Sequence, residues 1–492
     1  MARMRHAHAI AAVLGVAIAF SSGTVSGQAP ARSEITAPGA VGAGSFSPIV
    51  ANLQKTLTFY ALLGFTVPEG TATTPQPFSF NPRLHSMMGT NGANERHVNA
   101  RIPGGFALEP IELANIDQRP ARPRVQDPGA ITLVVYVRDL DALLSKATQA
   151  GVPVLTPGGR PVAIANGRAV LIEDPDGRPV EVRQVTPLPQ TSAPAESNVV
   201  GSRLSMTIAD RDKTKDLYHD RFGFAFEATT PSFKAEPLYQ ALTGAQGQVR
   251  HSVMTAPGGQ MTIELVEFKG VDQKPLRTRL QDPGSARIQV RVRQIDQVLA
   301  MVTATGSKPI STGDRPVKLP PNLVGVMVPD MDNLYLTLIE GCDGCAPREA
   351  RLDYVATGQE PWYGTWKLNP SKSHYVNGFQ GNQSSITQVQ LWEGGIKYVT
   401  DSVNPQGQKG HTEWSAKFDY KDYPVTGVPP VDSYQIQRID DRTYTVIAKK
   451  DGVRTTLSTA TISADGQTRT VRQTGTQVGG RDVNNTLVYD RQ

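Results

Sequence analysis

The chain has 492 residues, enough for about three domains at ~150 residues each and ample to bury several cores. Its 50 basic and 45 acidic residues give a formal charge of +5. The basic residues are scattered, without a run of five or six, which argues against a nucleic-acid surface and leaves a solvated, mixed-charge exterior.

The N-terminus reads as an export signal. Met1 to Ala9 carries Arg3 and Arg5, Ile10 to Phe20 is unbroken and apolar, and Ser21 to Ala31 is small and polar. That tripartite layout predicts a signal peptide over 1–29, and its apolar run is too short to span a bilayer. No other run is long and apolar enough for a membrane helix, so the expected protein is exported, periplasmic or extracellular, with no transmembrane segment after signal removal. Residues 28–42 are rich in Ala, Pro and Gly and are expected to be a disordered lead-in.

The next 300 residues contain a duplication. Pro103-Gly104-Gly105 leads through Glu109 and Glu112 to Gln126-Asp127-Pro128-Gly129. The same succession returns as Pro257-Gly258-Gly259, Glu264, Glu267 and Gln281-Asp282-Pro283-Gly284, offset by 154 residues at the first motif and 155 at the second. Residues 43–186 and 200–341 therefore form two homologous modules, separated by a Pro/Ser/Ala-rich linker at 186–199.

Each module halves again. Ile49 to Leu53 begins a strand and helix ending at Leu63-Gly64-Phe65, and Val135 to Leu140 begins another ending at Gly151-Val152. Leu140, Leu143, Leu144 and Ala147 share one helical face, as do Ile295, Val298, Leu299 and Val302. Turn-bounded strand segments follow each helix, such as Val180-Glu181-Val182 after Asp174-Pro175-Asp176-Gly177. The expected fold class is α+β: four βαβββ units in two tandem modules, followed by an all-β domain.

At this point the sequence resembles the vicinal oxygen chelate superfamily, which includes glyoxalase I, extradiol dioxygenases and bleomycin-resistance proteins. The resemblance rests on Thr58-Phe59-Tyr60 with Leu63-Gly64-Phe65, Leu217-Tyr218 with Phe222-Gly223-Phe224, and Asp174-Pro175-Asp176-Gly177 before Val180-Glu181. It implies paired units curled into a cup, with metal ligands on the first and fourth strands of each unit. Counting by that pattern gives Ser45, Thr132, Arg203 and Arg287 on first strands, and Glu109, Glu181, Glu264 and Thr337 on fourth strands.

That set lacks imidazole. A catalytic divalent ion takes about three protein ligands, commonly imidazole and carboxylate. Glu109 and Glu181 are the candidate ligands for a divalent metal in the first module; otherwise no cofactor is expected. Arg203 and Arg287 either clamp a carboxylate or phosphate ligand or pair with Glu264 inside the cup. Arg96-His97 and Arg250-His251 stand six residues before each Pro-Gly-Gly. His97 and His251 are candidate general bases, with the plainer reading of strand histidines beside them. Arg96 and Arg250 join the candidate ligand-binding residues. Asp127 and Asp282, each before Pro-Gly, read as turn residues.

Cys342 and Cys345 are the only cysteines. In an exported chain this lone pair predicts a local disulfide rather than a redox site, and zinc would call for a second pair. Residues 358–492 resemble a lipocalin-type module, through Gly364-Thr365-Trp366-Lys367-Leu368-Asn369 and Ser371-Lys372-Ser373. Alternation in Ile386 to Trp392 and Tyr444 to Ile447, with turns at Gly394-Gly395, Asp451-Gly452 and Asp465-Gly466, predicts an antiparallel barrel. Trp366, Trp392, Trp414, Tyr398 and Tyr434 either line a ligand cavity or fill its core.

The leading expectation is a protein that binds a small molecule without metal catalysis. The alternatives are a lyase, dioxygenase or isomerase using Glu109 and Glu181 with metal or His97 as base, and an envelope scaffold. Whether units pair within one chain or exchange between chains in a homo-oligomer is left open.

Overall fold

A computed structural model describes residues 38–101, 106–259, 261–319, 323–341, 354–376, 379–426 and 431–492. The expected signal peptide, the Cys342 and Cys345 pair and the first Pro-Gly-Gly lie outside these residues.

Four units follow one plan. Unit one has strand Gly39–Val50, helix Leu53–Leu62, and strands Asn94–His97, Ala107–Leu108 and Ile111–Ala114. Unit two runs from strand Ile131–Val137 through helix Leu140–Gln149 to strand Pro179–Val185. Unit three runs from Val199–Thr207 through Arg211–Lys215 to Thr262–Lys269, and unit four from Ala286–Arg293 through Ile295–Thr303 to Tyr335–Gly341. The helices of units one and two start where a short polar side chain accepts a free first-turn amide, Asn52 from Lys55 at 3.0 Å and Asp139 from Ala142 at 2.9 Å, whereas in unit four the Gln294 and Ile295 amides donate to the Glu340 carboxylate at 2.7 and 3.0 Å. The helical stripes face inward as expected, with Leu140, Leu143 and Ala147 buried in one helix and Ile295, Val298, Leu299 and Val302 in the other.

The first strand begins earlier than its composition suggests. Gly39–Gly42, expected in the disordered lead-in, already pairs with the strand of unit four, Gly39 opposite Arg293 and Gly42 opposite Arg291. The Ala40 amide also donates to the Phe222 carbonyl at 2.9 Å. Small residues suit this stretch because the neighbouring chain runs close against it.

The sheets do not follow the sequence modules. Gly39–Val50 of unit one pairs antiparallel with Ala286–Arg293 of unit four, and Ile131–Val137 of unit two pairs antiparallel with Val199–Thr207 of unit three. Each becomes the centre of a nine-stranded sheet. We call the sheet of units one and four cup one, and that of units two and three cup two. Both bury side chains in one hydrophobic core that includes Phe46, Tyr60, Leu133, Val135, Tyr218, Ile288 and Val290. The linker after unit two explains the inner pairing. It turns back so that Asn198 bonds both the amide and the carbonyl of Asp139, at 2.7 and 2.9 Å, and delivers Val199 directly beside Val137.

The duplicated Gln-Asp-Pro-Gly turns lie where the two modules cross. The Asp127 carboxylate accepts from the Lys274 amide at 2.8 Å, and Asp282 accepts from the Arg119 amide at 2.8 Å. The Gln273 side chain donates to the Gln126 carbonyl and Gln118 to the Gln281 carbonyl, at 2.8 and 2.9 Å. Arg124 grips Asp127 and Arg279 grips Asp282, each with a 2.7 Å contact. Each of these bonds in one arm has its counterpart in the other. Burial would raise the Asp127 carboxyl, but Arg124 and the amides of Lys274 and Arg124 outweigh it and hold the group below its usual range.

The C-terminal domain is a ten-stranded antiparallel sheet, closed into a near-barrel. Its two ends approach through Trp414 and Tyr434, with ring centroids 4.7 Å apart. Trp362, Trp366 and Tyr444 are fully buried within it, and Tyr398 stacks on Trp414 at 4.5 Å. Trp392 is not part of that cluster; it lies under the Lys417 ammonium at 5.6 Å. The near-barrel docks on cup one where Arg454 bridges to Ile116 and donates its amide to the Asn115 carbonyl at 3.2 Å.

Gly284 tests the crossing arms. Its φ of +98° is left-handed, and an added Cβ would sit 2.2 Å from the Ala121 carbonyl oxygen. Gly284→Ala is expected to lower stability by at least about 2 kcal/mol in urea denaturation. Gly258→Ala, whose Cβ meets nothing within 4 Å at a φ of +83°, should cost less.

Candidate functional site

Because the units pair in this nested way, the eight candidate positions fall into two sets of four. Cup one holds Ser45 and Glu109 from unit one with Arg287 and Thr337 from unit four. Cup two holds Thr132 and Glu181 from unit two with Arg203 and Glu264 from unit three. Each cup therefore has one arginine and one small hydroxyl at its first-strand positions.

In cup one, a single oxygen of Glu109 gathers three donors: Ser45 Oγ at 3.0 Å, Ser47 Oγ at 2.8 Å and Arg287 Nη2 at 3.2 Å. Arg287 Nη1 reaches Thr337 Oγ1 at 3.2 Å. His97 lies between two carboxylates, with Nε2 3.9 Å from Glu109 and Nδ1 3.9 Å from Glu95. Burial works against the Glu109 charge, but Arg287, His97 and the two serines hold its carboxyl below the usual range. Glu95 shifts the other way, because burial exceeds the help it receives from His97 and Arg287.

In cup two, Arg203 Nη2 contacts Glu264 at 2.8 Å, and the guanidinium lies 5.5 Å over the Tyr136 ring. Arg183 forks onto both oxygens of Glu181, at 2.5 and 2.9 Å, and stands 3.7 Å from Glu264. His251 Nδ1 is 3.5 Å from Glu264, and its ring stacks on Tyr239 at 5.4 Å. Burial would raise Glu264, but His251, Arg203 and Arg183 outweigh it and hold the carboxyl at about 2.

Three sequence expectations change shape here. Arg203 and Arg287 stand in different sheets, so they cannot clamp one ligand together; Arg203 pairs with Glu264, and Arg287 with Glu109. Glu109 and Glu181 are also divided between the cups and do not form one ligand set. Arg96 and Arg250 lie on the opposite strand face from His97 and His251. They pair with Glu112 and Glu267, whose carboxylates also receive the Leu53 and Arg211 amides at the helix starts. Arg183 was missed by sequence reasoning. Its signal was present, since strand alternation puts residues 181 and 183 on one face.

A divalent cation does not suit this donor set. One oxygen of Glu109 is committed to three donors, one of them cationic, and both oxygens of Glu181 are held by Arg183. A guanidinium beside each carboxylate would repel a metal ion. Among the described residues no group of three or more His, Cys, Asp or Glu side chains is arranged to hold one.

The paired βαβββ units and their cups have the architecture that the sequence resemblance implied, here followed by a ten-stranded near-barrel. Residues 44–182 match the family model described as the Glyoxalase/Bleomycin resistance protein/Dioxygenase superfamily. Among solved structures, a putative dioxygenase from Bacillus subtilis subsp. subtilis str. 168 is similar at 15% identity, covering 63% of this chain and 88% of that one, with a TM-score of 0.39. TnmS3, an antibiotic binding protein from Streptomyces sp. CB03234, is similar at 21% identity over 29% of this chain and 93% of its own, with a TM-score of 0.19. A Schistosoma mansoni fatty acid binding protein in complex with arachidonic acid is similar at 13% identity over 28% of this chain and 99% of its own, with a TM-score of 0.21. No curated protein matches the chain.

The Glu264 cluster gives a pH signature. A carboxyl held at about 2 against an ordinary 4.5 adds stability that is full above the ordinary value and is lost as pH falls through about 2. Arg203→Met should therefore cost roughly 2 kcal/mol near neutral pH. The cost should shrink near pH 3, where the variant's released carboxyl takes up a proton. Urea denaturation of both proteins at the two pH values measures this; a pH-independent difference would argue against the coupling.

Proposed function

We propose that this is an exported small-molecule-binding protein whose cups recognise a ligand through a guanidinium rather than a metal ion. The observation that carries the reading is common to both cups. A first-strand arginine is paired with a fourth-strand glutamate, at 3.2 Å in cup one and 2.8 Å in cup two. In each, the arginine Nε is buried with no protein acceptor among the described residues. An N–H left in that state costs free energy, and a ligand carbonyl or carboxylate oxygen is the group that would satisfy it. The ligand class is thus a small molecule bearing such an oxygen. Export is supported by the basic, apolar and small-polar succession over residues 1–31.

Calorimetric titration with a panel of small carboxylates and amides, run with and without chelator, tests the reading. Binding should survive chelator, and purified protein should hold less than about 0.1 metal ion per chain. Binding in cup one should weaken at least about tenfold in Arg287→Met combined with Glu109→Gln, a pairing that avoids leaving one buried charge alone. Stoichiometric metal that disappears in Glu109→Ala would overturn it.

A further inference from the structure

A cavity of about 500 Å³ lies outside both cup centres, where cup one meets the outer wall of the near-barrel. Met88, Gly89 and the loop Ile310 to Gly313 form one side. Three adjacent strands, Val453–Ile462, Thr468–Thr476 and Asp482–Arg491, form the other and contribute Thr459, Thr461, Thr470, Thr474 and Thr486. Among the described residues, Tyr335 is the one aromatic side chain lining it.

The charges around it are unevenly matched. Arg279 is paired with Asp117 and Asp282, Arg472 with Asp314, and Asp482 with Arg119. Arg454 lines the same cavity at 4% exposure, and among the described residues no carboxylate lies within ion-pair distance of it. Its Nη1 donates to the Gly89 carbonyl at 2.8 Å and the Asn91 carbonyl at 3.4 Å, while its Nε has no acceptor. Burial, with Arg279 nearby, pulls this guanidinium down to about 10 against the opposing influence of Asp117. A buried cation held only by carbonyl oxygens is stabilised by an arriving anion. The volume falls in the range of small-molecule sites, and such sites favour domain junctions.

We propose that this cavity is a binding site for a small polyhydroxylated anion, a sugar acid or sugar phosphate, whose anionic group pairs with Arg454 while its hydroxyls meet the threonine wall. Hydroxyl-bearing walls both donate and accept, which suits a polyol and gives an apolar ligand little to recognise. Because its two sides belong to different domains, an occupied cavity would also tie the near-barrel to cup one.

Calorimetric titration of the full chain with gluconate, glucose 6-phosphate, glucose and inorganic phosphate tests this. One of the two anionic polyols should bind one-to-one, with neutral glucose and inorganic phosphate each at least about tenfold weaker. Arg454→Met should abolish the binding. Since Arg454 also holds the Gly89 carbonyl, a second variant, Thr459→Val with Thr470→Val, tests the wall alone; it should keep the wild-type Tm and bind about tenfold more weakly. The cup variant, Arg287→Met with Glu109→Gln, should leave this binding intact. The proposal is overturned if neither anionic polyol binds at roughly 10 mM, if the threonine variant binds as tightly as wild type, if inorganic phosphate alone binds as tightly as the better polyol, or if the cup variant abolishes binding.

Discussion

Two buried aspartates, Asp127 and Asp282, hold the crossing arms of the two modules. Each carboxylate accepts an amide from the other module, and each is gripped by an arginine three residues before it. A carboxylate that receives several charge-assisted bonds in a buried place fixes its surroundings strongly, because any rearrangement would strand the charge. The proline and glycine after each aspartate serve the same crossing: Gly129 and Gly284 leave no room for a Cβ, each against a carbonyl oxygen 2.2 Å away. The arms join units one and two, and units three and four, at the places where the chain passes between the sheets.

From that crossing follows the composition of the cups. With the inner units paired through a short linker, the outer units share the remaining sheet, and each cup takes one unit from each module. The nesting sets the electrostatics. Had each module closed on itself, the second would have held two arginines with one glutamate, and the first two glutamates without a first-strand arginine. Nesting instead distributes one first-strand arginine to each cup, each within ion-pair distance of a fourth-strand glutamate. The cups are thereby built around balanced charge, which is why neither resembles a cation site.

Much of the architecture was legible in the sequence, since it depends on local rules. Helix stripes at Leu140 to Ala147 and Ile295 to Val302 and the alternating strands of the C-terminal domain follow from periodicity. Gly39 to Gly42 misled for a physical reason. Their small side chains look like a flexible lead-in, yet smallness is what lets a strand run close to its neighbour. Arg454 gave no signal at all, because the carbonyls that hold it, those of Gly89 and Asn91, belong to the first unit, far away along the chain.

By itself, the sequence determined the units, their duplication and the positions that face each cup, because these rest on residue spacing within a few turns of chain. Only the tertiary structure decided which positions share a cup. Strand pairing between units is fixed by long-range closure through the linker and the crossing arms, and the local pattern is the same for every way of pairing four similar units. The duplication that marks the fold so plainly in one dimension is thus divided in three, and the candidate site was legible residue by residue but not as a constellation.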